Sequence, residues 1–87
     1  MTFGNFDNNV LGMLAYASTQ ATWVAATTIS RECHIEYDTV RWYLNEDVLG
    51  QVAYHFRYDY RIRQRKHVGP GHGHTLYLSA VSRGYGT

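Results

Sequence analysis

The chain has 87 residues, of which 45% are hydrophobic and 17% charged, with one proline and one cysteine, Cys33. That composition fills one small core, excludes a second domain and an intrachain disulfide framework, and is too apolar for intrinsic disorder. The net charge of +1 hides a division: residues 1–50 set Arg31 and Arg41 against six carboxylates, a balance of −4, and residues 51–87 set five arginines and Lys66 against Asp59, a balance of +5.

Val10, Met13, Leu14 and Ala17 recur at i, i+3, i+4 and i+7 behind Asp7, Asn8 and Asn9. This spacing predicts a first helix over about 8–19, weakened by Gly12 by roughly 1 kcal/mol relative to alanine. Thr22-Trp23-Val24 reads as an isolated strand or an extended lead-in. A second helix starts at Thr27 or Thr28 and runs to Cys33, with Ile29 and Cys33 on one face. His34-Ile35-Glu36-Tyr37 reads as a turn. A third helix then begins at Tyr37 or Asp38, carries Val40, Leu44 and Val48 at every fourth position, and closes on Gly50.

Beyond Gly50 the apolar period falls from near 3.6 to 2. Val52, Tyr54, Phe56, Tyr58, Tyr60 and Ile62 alternate with Ala53, His55, Arg57, Asp59, Arg61, Arg63 and Arg65, which predicts one long strand. Val68-Gly69-Pro70-Gly71-His72-Gly73 supplies a turn, and Thr75–Val81 a returning antiparallel strand. Residues 1–7 and 83–87 read as loose ends around a single domain with its core over about 8–82.

Three helices followed by a hairpin form the order of a winged helix-turn-helix. Ile29-Ser30 with Cys33-His34-Ile35, Thr39-Val40 with Leu44, and Gly50-Gln51-Val52 fall on that family's buried helix-turn-helix positions, its closing glycine and its first wing strand. Over residues 8–82 the chain thus resembles the winged helix DNA-binding domains. His34 stands where the family has a turn glycine, and Asp47 where it usually has an apolar residue. The resemblance implies an α+β fold, a three-helix helix-turn-helix core with a β-hairpin wing. It also implies double-stranded DNA as partner, with helix three in the major groove and the wing beside it.

On that expectation Tyr37, Thr39, Arg41, Trp42 and Asn45 are the groove-facing residues of helix three; arginine matches guanine and asparagine matches adenine bidentately. Glu36, Asp38, Glu46 and Asp47 oppose this assignment, because they repel phosphates, and helix capping accounts for Asp38 equally well. Arg57, Arg61, Arg63 and Arg65, with Lys66 at the tip, suit a phosphate backbone better; a solvated strand face is the alternative. Tyr58 and Tyr60 are expected either to lie in the core with the rest of their row or to project as a dimer contact or, on a third reading, to stack unpaired bases. A protein-interaction module with an acidic partner and no nucleic acid is the rival function.

His67, His72 and His74 gather at the glycine turn without an acidic or thiolate companion, so no metal or other cofactor is expected. Cys33 falls on a core position, no nucleophile–base spacing emerges, and no enzymatic activity is expected. The longest apolar run is far short of a membrane span, and the N-terminus lacks a signal peptide's basic region. The expectation is a small cytoplasmic regulator of transcription or genome maintenance, acting as a homodimer.

Overall fold

The computed structural model describes residues 5–66 and 73–84. Its elements run α1 (Asn5–Ser18), β1 (Val24–Ala25), α2 (Ala26–Cys33), α3 (Tyr37–Tyr43), α4 (Glu46–His55), β2 (Tyr58–Lys66) and β3 (His74–Ser82). The fold is α+β, with four helices where three were expected and an antiparallel sheet of three strands in the order β1-β3-β2. This arrangement is compatible with a winged-helix-like fold. Among the described residues no helix is long and apolar enough to cross a membrane.

α1 buries the stripe that its spacing predicts: Val10, Met13, Leu14 and Ala17 are fully shielded from solvent. Each of the larger three contributes on the order of 2 kcal/mol through lost apolar surface. The helix starts earlier than expected, at Asn5, so residues 5–7 are not a loose end. α1 packs on β3, α2 and α4, and Ile29, Val40, Leu49 and Leu78 close the core from those other elements.

The turn after α2 is sharp despite lacking glycine. His34 takes the left-handed conformation (φ 56°, ψ 45°) that the family's glycine adopts without strain, and its N–H bonds back to the Ser30 carbonyl. Ile35 N–H reaches the same carbonyl at 3.1 Å, while Ser30 Oγ donates to the Ile35 carbonyl at 2.6 Å.

The expected third helix is in fact two. α3 stops at Tyr43, and Asn45 starts α4 as its N-cap, with Oδ1 accepting from Val48 N–H at 2.9 Å. Glu46 and Asp47 occupy the first turn of α4, where the helix dipole favours carboxylates. Gly50 is therefore a mid-helix residue rather than a closing glycine. The expected strand loses its first third to the same helix. Leu49, Val52 and Ala53 are buried, with Phe56 half-buried beside them, because their i, i+3, i+4, i+7 spacing overlays the alternation of Val52, Tyr54 and Phe56. Tyr54, on the far side of α4, is 82% exposed.

β2 and β3 pair from Tyr58↔Ser82 to Lys66↔His74, and β1 adds Val24↔Leu78 and Ala25↔Tyr77 on the other edge. Even-numbered residues of β2 face the helices. Tyr58, Tyr60 and Ile62 are half-buried there, whereas Gln64 and Lys66 are exposed, so the far part of the hairpin extends beyond the body. Most of the expected glycine turn lies outside the described residues, as do His67 and His72; His74 opens β3.

Candidate functional site

Odd-numbered positions of β2 point away from the helices. With their partners they form the outer face of the sheet: Asp59↔Val81, Arg61↔Ser79, Arg63↔Tyr77 and Arg65↔Thr75, with Ala25 beside Tyr77. No residue of this face is buried, and Arg61, Arg63 and Arg65 are exposed. Alternate residues of one strand stand about 6.6–6.8 Å apart. The three guanidiniums therefore make a ladder, continued at the hairpin end by Lys66 on the opposite face.

Among the described residues none of Arg61, Arg63, Arg65 and Lys66 has a carboxylate within 4.0 Å. Asp59, the one acid in the row, is turned to Arg83, with 3.6 Å between Oδ1 and Nε. That exposed pair adds little stability, and Asp59, one pleat from Arg61, tempers the positive charge only at this end of the row.

Arg57 does not belong to the row. It sits in the turn between α4 and β2 in the left-handed conformation (φ 62°), its carbonyl accepts from Arg83 N–H at 2.8 Å, and its side chain lines a hollow with Tyr54, His55 and Arg83. The strand expected through residue 57 begins only at Tyr58, so strand parity does not govern its direction.

Tyr58 and Tyr60 do not project as an interface; both pack against the core from the inner sheet face. Tyr60 Oη donates a close hydrogen bond to Glu46 Oε2, which ties β2 to the first turn of α4. Partial burial, the bond to Glu46 and the charges of Glu46 and Asp47 together push the Tyr60 hydroxyl up to about 12. Among the described residues the large aromatic side chains most open to solvent are instead Tyr37, Trp42 and Tyr54.

On α3, Tyr37 and Trp42 are exposed and Thr39 is half-exposed, whereas Arg41 is engaged. Its Nη1 donates to Tyr37 Oη at 3.1 Å and to the His74 carbonyl at 3.0 Å, and its guanidinium stands over the Tyr37 ring. Arg41 thereby ties α3 to the start of β3. Asn45 lies off α3 altogether: besides capping α4, its Nδ2 donates to the Trp42 carbonyl at 2.8 Å. Glu36, Asp38, Glu46 and Asp47 are all exposed around these helix ends.

Two aromatic residues of the outer face, Trp23 and Tyr77, were not among the expected site residues. Trp23, two residues before Ala25 and so on the same side, is half-buried, and the Arg63 guanidinium stands 5.8 Å from its ring centroid. Thr22, Trp23, Arg63, Arg65 and Tyr77 line an open notch of about 240 Å³. The available signal was parity: if Val24 is buried, Trp23 and Ala25 face the other way. Cys33 is half-buried near the Gly12 carbonyl, and burial, with Glu32 adding to it, raises its pKa.

No family model, curated protein or solved structure matches this chain.

Proposed function

We propose that the protein binds double-stranded DNA as a small winged-helix regulator of transcription or genome maintenance, with its hairpin arginines on phosphates. The observation that carries this reading is the uncompensated ladder of Arg61, Arg63 and Arg65, continued by Lys66. Guanidiniums in a row match a regularly spaced polyanion, and each phosphate neutralised releases condensed counterions. α3, tethered to the hairpin by Arg41, offers Tyr37, Thr39 and Trp42 for base contact. The carboxylates at the helix ends repel phosphate, so affinity comes from the sheet side. A homodimer matches the two half-sites that such domains bind.

Three phosphate contacts from the arginines of one face give a log–log salt slope of about −2.7, so affinity for duplex falls roughly 40-fold between 50 and 200 mM salt. Fluorescence anisotropy with random duplex DNA at those two concentrations tests it. Binding at low salt that falls with this slope, and is lost in the double variant Arg61→Glu/Arg63→Glu, supports the reading. No binding at low salt, or binding indifferent to salt, ends it.

One observation favours a second reading, a protein-interaction module: Trp42 is 62% and Tyr54 82% exposed, and aromatic side chains are enriched at protein interfaces. In that case the charge-reversed variant changes oligomeric state or the capture of an acidic partner, while duplex affinity is negligible throughout.

A further inference from the structure

We infer that the Trp23 notch on the outer sheet face seats an unpaired nucleotide, so that the preferred ligand is a duplex carrying a single-stranded tail. This rests on the nucleic-acid reading above and names its substrate class more closely.

The argument begins with what is unusual about the face. It is a sheet surface that no helix covers, and it holds two aromatic rings, Trp23 and Tyr77, among arginines without carboxylate partners. A purely electrostatic contact to duplex needs cations alone. Rings interleaved with cations are the equipment for single strands, in which bases stack on aromatic faces while the backbone follows the charges.

The dimensions suit one base, with its sugar and phosphate left outside. The notch of about 240 Å³ lies below the roughly 300–1,000 Å³ of sites that enclose a whole small molecule, and it is open to solvent. The Arg63 guanidinium stands over the Trp23 ring, 5.8 Å from its centroid, at the outer reach of a cation–π contact, which at an exposed site is weak. A base stacking on the indole takes the place of that contact while Arg63 turns to its phosphate. Arg65, one pleat further along β2, is placed for the next phosphate, and Tyr77, directly across from Arg63, bounds the notch from β3. In the tailed complex Arg63 and Arg65 thus follow the single strand, and Arg61, one pleat back along β2, stays on the duplex.

The test compares a blunt duplex with the same duplex bearing a short oligothymidine tail, by anisotropy at low salt. Wild type is expected to prefer the tailed duplex by about 5- to 150-fold, the range that stacking one base on an aromatic ring supplies. Trp23→Leu, which keeps an apolar side chain but no ring, brings the ratio of the two affinities to near one; Trp23→Phe retains most of the preference. With 2-aminopurine in the tail, binding quenches its fluorescence in wild type and not in Trp23→Leu. Equal affinity of wild type for both duplexes overturns the notch assignment and leaves the arginine ladder standing, as does a preference that survives in a folded Trp23→Leu. Failure of both duplexes to bind at low salt removes both readings. A dimer that Trp23→Leu converts to monomer assigns the face to a second copy of the chain and also overturns the inference.

Discussion

Replacing Asn45 separates two roles that the same side chain cannot be assigned on sequence grounds. If Asn45 caps α4, Asn45→Ala removes the Oδ1 acceptor of Val48 N–H and the Nδ2 donor to the Trp42 carbonyl. Loss of an N-cap costs about 1 kcal/mol, with a range of 0.5–2. The second bond is exposed and water replaces it, so it adds at most about 0.5 kcal/mol. The sum, about 1–1.5 kcal/mol, lowers Tm by roughly 4–12 °C for a domain of this size. Asn45→Asp keeps the acceptor and the favourable charge at the helix start, but sets that charge beside Glu46 and Asp47, so its stability stays within about 0.5 kcal/mol of wild type. Urea unfolding followed by circular dichroism, with the slope m compared across variants, reads the change directly. A base-reading role predicts the reverse: both variants keep full stability and lose duplex affinity. Full stability of Asn45→Ala, or an Asn45→Asp as unstable as alanine, refutes the cap argument.

Three further outcomes are expected. Gly12 lies on the exposed side of α1 with open space where a Cβ would sit, so Gly12→Ala raises the unfolding free energy by about 0.5–1 kcal/mol in urea titration. His34 holds a left-handed backbone that costs a non-glycine residue roughly 1 kcal/mol, so His34→Gly gains about 0.5–1 kcal/mol; a loss of stability shows the side chain to be needed at the turn. Tyr60 ionises near 10 when unfolded and at about 12 when folded, so its contribution is complete below pH 10 and lost as pH rises from 10 to 12. Thermal melts of Tyr60→Phe are therefore expected to decline less steeply over that interval than those of wild type.

Local chemistry alone determined a good deal of this protein. The α1 stripe, a turn beginning at residue 34, the alternation from Tyr58 to Arg65 and the opposite charges of the two halves are all legible along the chain. The same spacing was ambiguous from 44 to 57. There Val52, Tyr54 and Phe56 satisfy a period of two, while Leu49, Val52, Ala53 and Phe56 satisfy a helical one, and the regular recurrence of Val40, Leu44 and Val48 carried a single helix across Asn45. Packing resolved it: α1 and β2 offer an apolar surface that accepts Leu49, Val52 and Ala53 together, and only a helix presents all three on one side. That choice moved Arg57 off the strand and brought Tyr60 against Glu46. The pairing of β1 with β3 likewise set Trp23 beside Arg63, forty residues later in the chain. Contacts of that kind depend on register between distant segments, which no local pattern records and which is fixed only when the core closes.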